Sequence, residues 1–358
     1  MATEPQLDQA KADEFAGTVI GFLNGAFTAL GLSVGHRSGL LDAMADLEPS
    51  TSSQIADAAG LEERYVREWL AGMFVAGIVD YDRTAKTYSL PAEHALVITS
   101  AAGPRNLGQR ATFLPLMGNV EDELLHAFRN GGGVPYSSFE AFHAIMAEDS
   151  GARFDHSLID VQIPLVPEIE GRLETGIDVA DLGCGSGHAI NLMAREWPNS
   201  RFVGYDFSEE SIGAGRAEAA DMGLENATFV EQDVANMQGS ARFDLITTFD
   251  AVHDQADPAG MLHGIASLLR EDGSYLCVDM AASSDVANNV ELPLGPMQYM
   301  ISMFHCMPVS LALGGAGLGA MWGQERALEM LKEAGFTDID VAQVDGDPIN
   351  NYYVASTR

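Results

Sequence analysis

Two short stretches hold residue types suited to chemistry. In Thr248-Phe249-Asp250-Ala251-Val252-His253-Asp254-Gln255 an imidazole stands beside a carboxylate. Imidazole titrates near neutrality, so His253 is suited to take a proton from a hydroxyl or thiol, with Asp254 placed to orient the ring or to cap the next helix. The second stretch is Val179-Ala180-Asp181-Leu182-Gly183-Cys184-Gly185-Ser186-Gly187-His188. It reads as a strand, a glycine turn and the opening of a helix. Alternating glycines bend the chain sharply and let a ligand approach backbone without meeting a Cβ. Their G-x-G-x-G spacing departs from the G-x-G-x-x-G of dinucleotide sites.

Strand–helix alternation is what would position these groups. Candidate strands are Asp178–Leu182, Arg201–Tyr205, Ala227–Glu231, Phe243–Thr248 and Ser274–Asp279. Helices near Ala189–Trp197, Glu209–Met222 and Gly260–Leu269 imply a parallel sheet covered on both faces. A helix over Gln324–Ala334 then precedes strands Asp338–Val344 and Tyr352–Ser356, a hairpin that adds an antiparallel strand at the sheet's end. The first hundred residues read differently: a glycine-dotted helix (Ala12–Leu32), short helices at Ser38–Ala45 and Gln54–Ala59, and a helix from Leu61 to before Gly77. Alternating pairs at Ile78–Tyr81 and Thr87–Leu90 complete a winged-helix pattern. A long helix is also expected over Phe154–Leu173. The expected domains are 1–100, a helical connector at 101–172, and 173–358 with an insert at 290–322.

The acid-x-G-x-G-x-G run from Asp181 resembles motif I of class I S-adenosylmethionine (SAM)-dependent methyltransferases. The whole chain resembles bacterial, notably actinobacterial, members that join a winged-helix N-terminus to this α/β, Rossmann-like fold. Ala26-Phe27-Thr28-Ala29-Leu30-Gly31, Tyr65-Val66-Arg67-Glu68-Trp69-Leu70 and Asn350-Asn351-Tyr352-Tyr353 carry that likeness. More distantly it is similar to plant-type O-methyltransferases, which carry a His-Asp pair after the same strand. The resemblance implies SAM as cofactor, S-adenosylhomocysteine (SAH) as product, a homodimer and a covered apolar acceptor cavity. It also suggests roles for the strand ends, where ligands sit in parallel sheets. Asp181 would meet the cofactor ammonium, with Gly183, Gly185 and Gly187 against its methionine end. Asp206, nineteen residues past Gly187, would accept the ribose hydroxyls, and Asp233 would meet the adenine amino group between Val234 and Phe207. The alternative is that each aspartate caps a helix. Phe249 stands where many plant-type enzymes have lysine, so only part of their contact set carries over.

Composition narrows the rest. A formal charge of −33 repels nucleic acid in the absence of a basic patch, and residues 1–100 hold six Lys/Arg against fourteen Asp/Glu. The wing therefore suits dimerisation and substrate covering rather than DNA. Cys184, Cys277 and Cys306 are too widely spaced for a disulfide framework or zinc site and fit a reducing cytoplasm. His305-Cys306 raises the thought of a metal, but Cys184 and Cys277 are needed elsewhere, leaving too few soft ligands. Phe15–Gly35 is long enough to span a membrane. Its acidic flank and Gly17, Gly21 and Gly25 favour instead a closely packed helix, which a second subunit could cover.

The connector concentrates Tyr136, Phe142, His143 and Met146, and the insert holds Met300, Met303 and His305 followed by glycines at 314–319. Both would line an acceptor pocket, the insert either as a moving lid or as a packed helix pair. The expected activity is methyl transfer to a small hydrophobic hydroxyl compound with His253 as base. The rivals are S-methylation of a thiol or thioether, and a SAM-sensing regulator.

Overall fold

A computed structural model describes residues 7–358 apart from positions 140, 141 and 236, and of His143 the backbone alone. The chain divides into two compact units, Met1–Pro115 and Leu116–Arg358.

In the first unit α1 (Gln9–Arg37) starts where the Asp8 side chain accepts the backbone N–H of Ala10 and Lys11. It is longer at both ends than the sequence suggests: Gln9, Ala10 and Lys11 are good helix formers, whereas residues 33–37 are mostly poor ones and continue the helix where Gly35 packs on Trp69 and Leu41, up to the left-handed Gly39. A Cβ at Gly17, Gly21 or Gly25 would meet nothing within 4 Å. The close approach is further on, where Gly31 and Gly35 lie under Met73 and Trp69, and the Trp69 indole donates to the Gly31 carbonyl at 2.7 Å. By length and composition α1 is apolar enough to cross a membrane. Helices α2 (Leu40–Ala45), α3 (Ser52–Ala59) and α4 (Glu63–Val75) follow, α3 opened by a Thr51–Gln54 capping box. The wing is β1 (Asp80–Asp82) against β2 (Thr87–Ser89), with Tyr81 opposite Tyr88. After α5 (Ala92–Ile98) and α6 (Leu107–Arg110), α7 (Phe113–Gly118) leads out of this unit.

The second unit begins with α8 (Glu121–Asn130) and α9 (Phe142–Ser157). The single helix expected over Phe154–Leu173 does not form. α9 ends in a π-turn, Leu158–Gln162, and the chain breaks before α10 (Ile169–Thr175). Pro167 is the reason: it forces Val166 into extended backbone (ψ 117°). Then come β3 (Asp178–Leu182), α11 (His188–Glu196), β4 (Arg201–Asp206), α12 (Glu209–Asp221), β5 (Ala227–Glu231), β6 (Phe243–Phe249), α13 (Pro258–Leu268) and β7 (Leu269–Met280). The insert forms α14 (Gly295–Ile301), a π-turn at Ser302–Cys306 and α15 (Met307–Ala312), before α16 (Gln324–Glu333), β8 (Asp338–Val344) and β9 (Asp347–Ser356).

The seven strands order as β5-β4-β3-β6-β7-β9-β8, with β9 antiparallel to both neighbours. Both faces are buried, so the strands carry apolar side chains on both sides. Ala180, Leu182, Ile246 and Tyr275 point into one core, and Val179, Leu245, Leu276 and Tyr352 into the other. This two-sided burial fixes the register and so aligns the ends of β3, β4 and β6, where the glycine turn, Asp206 and Phe249–Asp250 emerge together.

Candidate active site

Each glycine of the turn has its own steric reason. All three have positive φ: +75° at Gly183, +53° at Gly185 and +74° at Gly187. A Cβ on Gly183 would press on the Ala251 methyl at 2.7 Å, and one on Gly187 would enter the Phe229 ring at 2.1 Å. Gly185 meets no protein atom within 4 Å, so its bare face opens on a cavity of about 360 Å³. The turn is tied to β4 by the Tyr205 carbonyl, which accepts from Gly183 and Cys184 at 2.8 and 3.0 Å.

Around that cavity the structure gathers Asp181, Gly183, Gly185, Asp206, Phe207, Asp233, Val234 and Phe249; Gly187 sits behind, packed on Phe229. Asp206 accepts the Gly185 N–H on one oxygen and the Ser208 N–H on the other, each at 2.9 Å. It does not cap α12; Ser208 does. Asp233 accepts from Ala235 at 2.9 Å. Each carboxylate oxygen has two lone pairs, so both aspartates retain acceptor capacity. Asp181 is fully buried, accepting from the Thr247 hydroxyl at 2.8 Å. Burial, reinforced by Asp206, pushes its carboxyl up to about 7.

His253 lies one layer behind the wall, 3% exposed. Its Nδ1 is 2.7 Å from Asp279 Oδ1, at the end of β7. The same oxygen accepts from the Trp322 indole at 3.1 Å and the Met280 N–H at 2.8 Å. Nε2 faces Asp254 Oδ1 at 3.2 Å without hydrogen-bond alignment. Burial alone would lower the imidazole's pKa, but Asp279 and Asp254 outweigh it and hold it well above the usual histidine range. Thus the partner that orients the ring is Asp279, whereas Asp254 reaches the cavity wall. α13 is capped by Asp257.

Of the aromatic cluster, Tyr136, Phe142 and Met146 line the cavity. His305 is buried behind them, stacked on Phe142 at 3.7 Å between centroids. Met300 is half exposed, and neither it nor Met303 reaches the wall. The side chain of His143 lies outside the described residues. The insert is hydrogen-bonded to the His253 loop: Ala316 N–H donates to Ala256 at 2.9 Å, and Ser310 Oγ to the Gln255 carbonyl at 2.8 Å.

The sequence reading missed Arg153 and Asp250. Arg153, from α9, donates to Asp250 Oδ2 at 2.8 Å, and both line the cavity. Asp250 closes β6 as Asp206 closes β4, so the strand-end rule would have found it. Arg153 carried no local signal.

Comparisons with known proteins bear on both units. Residues 26–100 match the Rv2258c-like winged HTH domain, and residues 173–335 match a methyltransferase domain. Trans-aconitate 2-methyltransferases are similar over shorter stretches. That of Escherichia coli O139:H28 is 34% identical over 102 residues, 28% of this chain and 38% of the relative. That of Afipia carboxidovorans is 33% identical over 81 residues, 23% of this chain and 28% of the relative. The chain therefore matches well under half the length of these curated relatives. Solved structures share the fold across nearly the full length. A putative O-methyltransferase from Nostoc punctiforme has a TM-score of 0.73 at 17% identity, covering 95% of this chain and 98% of its own. The mitomycin 7-O-methyltransferase MmcR scores 0.71 at 16%, covering 98% and 100%. Human N-acetylserotonin methyltransferase, solved with SAM, scores 0.69 at 15%, covering 99% of each chain.

Proposed function

From the premise that this chain joins a winged-helix domain to a methyltransferase domain, we propose that it is a SAM-dependent O-methyltransferase acting on a small apolar or amphipathic hydroxyl compound. One observation carries the reading. Around a single cavity stand an open glycine, Gly185, two strand-end carboxylates with spare lone pairs, and a buried imidazole one layer behind the wall.

The residues present fit the cofactor. SAM supplies an electrophilic methyl carbon on a sulfonium. Gly185 leaves room beside the backbone, Asp206 and Asp233 can accept from ribose hydroxyls and an adenine amino group, and Val234 and Phe207 offer apolar faces. Asp181 offers an acid whose ionisation a neighbouring ammonium would favour.

Tyr136, Phe142, Met146, Val309 and Leu313 give the remaining wall an apolar side, and Arg153, Asp250, Asp254 and Gln255 give it a polar one. An acceptor hydroxyl entering beside Asp254 displaces that carboxylate from His253 Nε2. With one negative neighbour gone, the imidazolium is more acidic and passes its Nε2 proton out by way of Asp254, the carboxylate that reaches the cavity. The neutral ring, held by its Nδ1–H on Asp279, would then take the acceptor's hydroxyl proton, while SAM held along Gly185, Asp206 and Asp233 would supply the methyl group.

His253→Ala tests the scheme. Transfer should fall by about 10²- to 10⁴-fold with SAH binding retained. A rate unchanged at every pH removes the base and leaves transfer to a thioether, which needs none. The reading extends to a homodimer, supported by the exposed Phe15, Ile20, Phe22, Leu23 and Phe27 along α1.

A further inference from the structure

Asp279, the partner of the base, carries its hydrogen bonds unevenly. Oδ1 faces the His253 ring at 2.7 Å, the Met280 N–H at 2.8 Å and the Trp322 indole at 3.1 Å, while Oδ2 is buried with no partner. A carboxylate oxygen offers about two lone pairs, so these donors compete for the same electron density. The backbone around Trp322 fixes the indole in that competition. Trp322 ends the insert, and its carbonyl accepts from Ser284 Oγ at 2.7 Å. Gly323 follows at φ +83°, where a Cβ would strike the Ser284 nitrogen at 2.1 Å. The Gln324 N–H then donates to the Ala282 carbonyl at 2.8 Å. The chain leaving the insert is thus stitched to the segment that follows β7, the strand that carries Asp279.

We infer that Trp322 is a positioning residue for the reaction: by taking a share of Asp279 Oδ1 it loosens the carboxylate's hold on the His253 imidazolium, and the ring gives up its Nε2 proton more readily. This rests on the reading of His253 as the base, which must shed that proton before it can accept one. Trp322 does not line the cavity, so it acts through Asp279. The other titratable groups facing the ring are Asp254 beside it, Asp250 at the end of β6 and Cys306 in the insert's π-turn, with His305 behind Asp254. A change at position 322 leaves all of them in place.

NMR on histidine-labelled protein with SAH tests the inference without the acceptor, the His253 resonances being those missing from His253→Ala. Trp322→Phe removes the donor. β-(3-Benzothienyl)alanine at position 322 removes it while keeping the shape of the indole, and so covers the case in which Phe packs too loosely to fold. In both, the Nδ1–H proton should resonate further downfield. The titration midpoint of the ring should rise by about 0.5 to 1 pH unit, the equivalent of one neutral hydrogen bond. SAH affinity within about twofold of wild type reports an intact site. Resonances and midpoint equal to wild type in the benzothienyl protein, or movement the other way, overturn the assignment. So does a shift in Trp322→Phe alone, which marks a packing effect. Transfer at the wild-type rate in His253→Ala at every pH sinks the base reading and this role with it, whereas unmoved resonances sink this role alone.

Discussion

His253 Nδ1 and Asp279 Oδ1 stand 2.7 Å apart, on side chains 3% and 0% exposed. In the proposed mechanism this contact sets the tautomer: a proton fixed on Nδ1 leaves Nε2 to receive another. Asp279→Asn removes the negative charge that favours imidazolium. The base should titrate at lower pH, moving the acid limb of the rate profile downward, while the maximum rate drops by about 10²-fold or more. A pH–rate series on both proteins reads the two effects separately.

Asp181 predicts a pH dependence of the ligand-free fold. Its carboxyl ionises near 3.8 when unfolded and at about 7 when folded. Between those values the folded chain binds the extra proton, so stability falls as pH rises through that window, by an amount of the order of 4 kcal/mol at most. Asp181→Asn should flatten the decline and raise the melting temperature at pH 8. Thermal melts from pH 5 to 8, without ligand, measure it.

The glycines of the turn should separate folding from binding. Gly187→Ala drives a methyl into the Phe229 ring and should destabilise the protein by about 2 kcal/mol or more. Gly185→Ala meets open space at φ +53°, so it should fold with a loss of only about 1 kcal/mol. Its methyl, however, occupies the cavity, and SAH binding should suffer far more than stability. Melting curves and calorimetry on the two variants make the comparison.

A chelator should leave transfer unchanged. A ring nitrogen of His253, an Asp254 oxygen and the Cys306 sulfur lie within 4.8 Å of one another. Yet burial pushes the Cys306 thiol up to about 12, and a thiol must ionise before it ligates. Activity assayed before and after EDTA dialysis settles the point.

The apolar face of α1 should hold two copies together. Phe22→Glu with Phe27→Glu should shift the mass in sedimentation velocity from dimer to monomer. A wild-type monomer would remove the dimer from the reading.

How much could be read in advance follows from how local each signal was. The glycine turn, Asp206 and Asp233 lie at the ends of strands whose apolar runs are visible without coordinates. The capping box at Thr51 and the wing rest on neighbouring residues and were equally legible. Asp279 was not, because it meets His253 only through the β6–β7 register, twenty-six positions away. Arg153 and Asp250 are separated by ninety-seven positions and a helix whose course Pro167 redirects. The spacing of Gly17, Gly21 and Gly25 shows where a helix can be approached, not what approaches it: nothing of this chain comes within 4 Å, and the occupant proposed above is a second copy.

The placement of β9 also constrains the order of assembly. It lies between β7 and β8, although β8 precedes it in the chain. As the polypeptide leaves the ribosome, β8 emerges before β9, the strand it pairs with, and the margin of β7 that β9 will cover waits unpaired beside it. The sheet therefore closes in one late step when Asn350–Ser356 arrives, and an arrest just short of that segment exposes two sticky strand borders at once.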